Sequence, residues 1–210
     1  TLAAIPRVIK AYEAGKDVQP VISGMTAYYI TFFAPLIFIY CYFSKSIVSI
    51  FSDPKYYDAY LTLPFFALGA FFFGLTEYTV IQYHLIRKTY IDTIIRVIPS
   101  LIGLILGIYL LPKCQGNLIL IVLGLITMMS QFLYFVLSVF IKTKNLYWIP
   151  PAGQIMKVII ALSISLVVIY FFEHIVINID YLNNLIMKTF VYLSAYFSTL
   201  KLLKTKFRNI

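Results

Sequence analysis

An all-α, polytopic membrane bundle of about six transmembrane helices, preceded by the end of another, is the fold class this sequence predicts. Three observations predict it. Hydrophobic residues make up 61% of the 210 and charged residues only 12%, where a soluble domain carries about 25% charged. The apolar residues fall in blocks of roughly 20, the length a helix needs to cross a bilayer. The 17 Lys and Arg sit mainly in the short connectors, and on alternate connectors. One side of the predicted membrane holds all of them except Lys45, Lys55, Lys113 and Lys188. Positive charge accumulates on the cytoplasmic side, so the first connector and the C-terminus are expected inside and the Asp53 loop outside.

Taken in order, Thr1–Ile9 is apolar with Pro6 and Arg7, and is expected to end a helix begun earlier. Lys10, Glu13, Lys16 and Asp17 then make a charged connector, so residues 1–17 form a helix end plus a cytoplasmic linker and residues 18–210 carry the spans and a basic tail. The first span is Val21–Phe43, with Tyr28 and Tyr29 as interfacial anchors and Pro35 as an internal kink. Ser46–Phe51 continues as an interfacial helical turn within the connector Ser44–Ala59. The second span is the stretch Leu61–Thr89, with Pro64 in its first turn, and it ends on Arg87-Lys88.

Asp92 and Arg96 follow in a polar linker, four residues apart and so able to pair on one helix face. The third span, Ile94–Leu111, contains Gly103 and Gly107, a spacing that lets a neighbouring helix approach closely. The fourth, Leu118–Ile141, carries Thr127, Ser130 and Gln131 near its middle. Lys142–Pro151, with Tyr147, Trp148 and two prolines, reads as an interfacial loop. The fifth span is Ile155–Phe172, the connector Glu173–Asn184 holds His174 and Asp180, and Leu185–Leu200 is a sixth, shorter span.

Glu77 is the acidic residue placed well inside an apolar span, where a charge is costly and faces protein or a water path. It is either an ion- or proton-coupling carboxylate on a substrate path or a buried carboxyl bonded to a neighbouring helix. Ile81 and His84 are expected on its face, one and two turns on. His84 and Gln131 share the two readings, path residue or structural residue. Arg7, Lys10, Arg87, Lys88 and Arg96 form a cytoplasmic basic set that either attracts lipid phosphates or only fixes topology. Ala70/Gly74 and Gly103/Gly107 are helix-packing patterns. No HExxH, GxSxG, phosphate loop or metal-spaced cysteine pair occurs. No cofactor and no catalytic residue is therefore expected. The net charge of +9 forms no basic stripe with stacking aromatics, so nucleic acid is not expected as a partner.

Several stretches resemble the oligosaccharide-lipid flippases of the multidrug and polysaccharide transporter superfamily. They are Pro6-Arg7, Tyr12-Glu13-Ala14-Gly15-Lys16-Asp17, the proline at Pro35, Ile47-Val48-Ser49-Ile50-Phe51, Leu63-Pro64, Leu68-Gly69, Phe73-Gly74-Leu75 and Arg87-Lys88-Thr89. The likeness covers residues 1–90 best. It departs at Lys113-Cys114-Gln115-Gly116-Asn117, where the family often has Gly, two residues, then Gly-Ala.

The resemblance implies two lobes of six helices with two extra at the end. This chain would then be the C-terminal lobe of a longer transporter, in contact with an N-terminal lobe of the same polypeptide and with membrane lipids. It implies a bacterial cytoplasmic membrane, coupling to H+ or Na+, and movement of undecaprenyl-pyrophosphate-linked oligosaccharide by alternating access. A cation-coupled multidrug exporter of the same fold is one alternative. A membrane-embedded glycosyl- or acyltransferase using His174 and Asp180 is another.

Overall fold

The computed structural model describes residues 5–143, 147–175 and 181–203. Among them it is helical, with no strand. The long helices are α2 (Gln19–Tyr42), α4 (Leu63–Thr79), α6 (Thr89–Leu110), α7 (Asn117–Phe140), α8 (Ala152–Ile175) and α9 (Tyr181–Leu202). Short α1 (Ile5–Glu13) and α5 (Ile81–Leu85) lie at one end, and α3 (Ser44–Phe51) and a 3₁₀ stretch (Pro54–Leu61) at the other. Among the described residues five helical stretches are long and apolar enough to cross a membrane: α2, α4 with α5, α6, α7 and α8. The expected sixth, α9, matches them in length, but Asn183, Asn184, Lys188 and Lys201 make it less apolar. The polytopic α-helical membrane bundle is what the structure has.

The ends follow from local chemistry. Asp17 Oδ1 accepts from the Gln19 amide at 2.9 Å and Pro20 pre-sets the first turn of α2. Gly116, at φ 55°, supplies the left-handed turn before α7. The connector helix expected at 46–51 is α3 and begins two residues earlier. The third helix starts at Thr89 rather than Ile94, so Asp92 and Arg96 belong to its first two turns and not to a linker.

The helices lie in a row, α6–α7–α4–α2, with the α8–α9 hairpin against α2. The second span is the central one: 39% of it is buried inside the protein, against 11% for α6 and α7. Close approach at α4 depends on small residues. A Cβ at Gly69 would touch the Met128 backbone, one at Gly124 would press on Phe65, and one at Gly74 would overlap the Tyr29 ring. Gly103 likewise faces Ser130, whereas Gly107 has open space beside it and Ala70 is exposed. Each expected packing pair therefore uses one of its two members.

Proline and tyrosine solve one problem together. Pro35 lies in α2 with no N–H, which leaves the Thr31 carbonyl one turn back without its helical donor. The Tyr196 hydroxyl of α9 donates to that carbonyl at 2.8 Å, and Gln154 Nε2 of α8 donates to Thr31 Oγ1 at 2.8 Å. Thr31 is thus the point where α8 and α9 are tied to α2. Tyr196→Phe is expected to cost about 1 kcal/mol, the scale of interhelical bonds in membranes. Pro35→Ala returns the helical donor, so in the double variant the Tyr196→Phe cost should shrink. Thermal unfolding of the four proteins in nanodiscs checks this; equal Tyr196→Phe costs in both backgrounds would refute the coupling.

Candidate functional site

Helix α4 does not run unbroken through the second span. Thr76 and Thr79 turn their hydroxyls back onto the Phe72 and Thr76 carbonyls, a local bond that competes with the helical ladder. The helix stops at Thr79 and resumes as α5 from Ile81. Val80 between them keeps helical dihedrals, and its N–H still bonds the Thr76 carbonyl. Ile81 was expected on the Glu77 face, but it is buried with Val8, Val18, Ile22 and Leu85 under α1. His84 stays half exposed and, like Glu77, faces α6.

What gathers around Glu77 comes from three helices. Arg96 of α6 places Nη2 3.6 Å from Glu77 Oε1 and 3.7 Å from Asp92 Oδ2, one turn back on its own helix. His84 Nε2 lies 3.7 Å from the same Asp92 oxygen. Tyr134 of α7, 2% exposed, joins the set: its hydroxyl donates to Asp92 Oδ1 at 2.7 Å and accepts from Arg96 Nη2 at 2.9 Å. The guanidinium also lies over the Phe73 and Tyr134 rings, 5.6 and 5.2 Å from their centroids, a further attraction for a cation in an apolar setting. Beneath them Val80, Tyr83, Ile95 and Tyr134 form one buried cluster.

The electrostatics follow from counting. Two carboxylates face one guanidinium, so the group carries one net negative charge with His84 neutral and none with His84 protonated. Arg96 stood in the sequence as a lipid-phosphate residue; here its charge is shared between two acids. A net negative charge of this kind attracts a cation and repels an anion. Asp92 and Tyr134 were not among the expected site residues. Asp92 could be read only as the i,i+4 partner of Arg96, and Tyr134 carried no signal because its role needs α7 beside α6.

The other expected residues lie elsewhere. Gln131 is about 12 Å from Glu77 along α4, beside Gly69. With Ser130 and Thr127 it lines an open groove of about 570 Å³ between α6 and α7, floored by Gly103 and Gly107. Lys10, Arg87 and Lys88 are exposed at the end where α5 turns into α6. Arg87 is held at φ 59°, a left-handed conformation costing about 1 kcal/mol for a residue with a side chain. The Arg7 side chain, and those of His174 and Asp180, lie outside the described residues.

Two sides of α4 and α5 therefore differ. Toward α6 the groups are charged. Toward α2 and α7 they are neutral and buried: Thr79 bonds Ser138 Oγ, and Gln82 Nε2 and Tyr83 Oη both donate to the Ser138 carbonyl, at 3.3 and 3.1 Å. Among the described residues no group of three His, Cys, Asp or Glu is arranged to hold a metal ion. In comparisons with protein-family models, with curated proteins and with solved structures nothing matches this chain, so the flippase resemblance stands on the residues quoted for it.

Proposed function

We propose that this chain is the C-terminal lobe of a flippase that moves undecaprenyl-pyrophosphate-linked oligosaccharide across a bacterial cytoplasmic membrane for surface-polysaccharide synthesis. It acts as a transporter, with no catalytic residue of its own. The observation that carries the reading is the Glu77–Arg96–Asp92–His84 group, set in the central span of a polytopic bundle at its basic end. The flippase-like pattern over residues 1–90 lends the substrate class. Charged residues of this kind inside a span are expensive and mark ion or substrate paths.

In this reading the arrangement works as a two-state element. With a proton or Na+ on the carboxylates, Arg96 is released from Glu77 and α4 can move against α6. With the carboxylates free, the guanidinium draws the two helices together. His84 stands at the exposed end of the chain of groups and passes charge to Asp92; Tyr134 holds Asp92 and Arg96 in register. The exposed Lys10, Arg87 and Lys88, with Arg7, attract the lipid pyrophosphate to the cytoplasmic face. Half of the sugar path belongs to the N-terminal lobe.

The test is Glu77→Gln in the full-length transporter, with polymer export as the readout. Export is expected to fall about tenfold or more, the scale of losing one charge-dependent contact, with the protein still present in the membrane. Wild-type export in that variant would make Glu77 a packing residue. Drug resistance on expression without polymer export would favour the multidrug alternative.

A further inference from the structure

In the stretch expected to be an interfacial loop, the described residues 147–151 are non-helical and lean on α2. Helix α7 ends level with Tyr83, whose hydroxyl donates to the Ile141 carbonyl at 2.6 Å. Trp148 Nε1 donates to Thr26 Oγ1 at 3.1 Å, about 10 Å up α2 from its start. Gln154, in the first turn of α8, reaches Thr31, about 18 Å up. Residues 147–151 are therefore non-helical backbone laid against α2. That is tolerated where protein covers it or where it lines a path, and Pro150-Pro151 removes two amide donors that would otherwise need partners. The Trp148 ring rests edge-on against Phe135, 5.8 Å between centroids.

Under this strap lies a recess lined by Gln19, Tyr78, Thr79, Gln82, Tyr147 and Trp148. As it stands it is too tight for a water molecule. One acceptor in it is orphaned: Gln82 is 3% exposed and its Oε1 has no hydrogen-bond partner. Its amide is oriented by the bond from Nε2 to Ser138, so Oε1 is the free end. No charged side chain lines the recess. Two amides, three hydroxyls and aromatic rings, beside Ile22, suit a neutral polyhydroxyl ligand: amide and hydroxyl groups meet its hydroxyls, and indole or phenol faces meet its apolar ring face.

We propose that the 147–151 strap closes a neutral sugar subsite at the basic end of the bundle, and that Gln82 Oε1 is the acceptor for a sugar hydroxyl once Trp148 lifts away. This rests on the flippase reading for its substrate class. Trp148 is held by one indole hydrogen bond, the Phe135 ring and packing on the Ile22–Tyr78 cluster, and lifting it is what would open the recess to Gln82. A buried acceptor without a donor favours the state that supplies one.

Trp148 is the one tryptophan of these 210 residues, so its fluorescence reports the strap directly. The full-length protein in nanodiscs, with any tryptophan outside these residues replaced by phenylalanine, is titrated with N-acetylglucosaminyl-pyrophosphoryl-undecaprenol and, separately, with undecaprenyl pyrophosphate. The glycosylated carrier is expected to shift Trp148 emission to the red and expose it to acrylamide, and the bare carrier to do neither. Gln82→Leu should raise the half-saturation concentration about tenfold, the value of one lost neutral hydrogen bond. It should still fold, because the Ser138 carbonyl keeps the Tyr83 hydroxyl.

Equal responses to both carriers, no response to either, or an unchanged half-saturation in Gln82→Leu would overturn the subsite. Polymer export by the unaltered full-length protein separates the two claims. If export persists while Gln82→Leu binds normally, the subsite falls and the flippase reading stands. If the sugar carrier is bound through Gln82 yet nothing is exported, the flippase reading falls and the subsite stands.

Discussion

Arg96→Gln is expected to be the most damaging single change at the charged group. It removes one positive charge and leaves Glu77 and Asp92 facing each other across α4 and α6. Asp92 keeps the Tyr134 hydroxyl, but Arg96 is the ion-pair partner that the structure gives Glu77 among the described residues. Breaking a fully buried pair costs about 3–5 kcal/mol. Here the side chains are 46% and 35% exposed, so the loss is discounted to about 2 kcal/mol. The second variant decides the cause. Arg96→Gln with Glu77→Gln removes both charges of the pair and is expected to recover more than half of the lost stability. Thermal unfolding of the two variants in nanodiscs measures this. If the double variant melts no higher than the single one, the cost comes from lost packing on Phe73 and Tyr134. Export would be abolished in the single variant under the proposed mechanism, because α4 and α6 lose the contact that switches.

Gly74→Leu is expected to disrupt the bundle more broadly, through shape alone. Tyr29 of α2 is pinned where any side chain at Gly74 would project. Its hydroxyl donates to the Phe71 carbonyl at 3.1 Å, and its ring lies between Phe33, Phe71 and Tyr78 at 4.6 to 5.6 Å between centroids. A side chain at Gly74 must displace that ring or push α2 off α4, and overpacking of this kind costs about 1–3 kcal/mol, more when the neighbour cannot turn away. Gly74→Ala should show the lower end of the range. Adding Tyr29→Leu to Gly74→Ala frees the space and should recover part of the loss. Gly107→Ala serves as the control, since nothing stands close enough there to be displaced. A Gly107→Ala loss equal to that of Gly74→Ala would contradict the packing argument.

These expectations divide along a physical line. Crossing a bilayer is a demand on length and composition, so α2, α4, α6, α7 and α8 could be located to within a few residues from apolar runs. The cost of a charge in such a run also made Glu77 visible. What surrounds Glu77 was not visible, because its partners are set by which helices are neighbours. Arg96 meets Glu77 only because α7 packs on both α6 and α4 and brings the first turns of α6 beside the inner end of α4. Tyr134 looked like one aromatic residue among 18 tyrosines until α7 brought it between an acid and a base. The break at Val80 was hidden as well, since threonine hydroxyls bending back on their own helix leave no mark in hydrophobicity.

From its sequence alone this protein is an α-helical membrane bundle with its cationic residues gathered toward one end. Lipid imposes that: a segment must be apolar for about 20 residues and must satisfy its own backbone. The tertiary structure alone decided which polar groups meet. It tied Thr31 to Tyr196 and Gln154, divided Arg96 between two carboxylates and turned Trp148 inward over Gln82. Apart from Arg96 and Asp92, one helical turn apart, those contacts join residues 19 to 165 positions apart, and at that separation only the packing order of the helices, not the spacing of letters, says who touches whom.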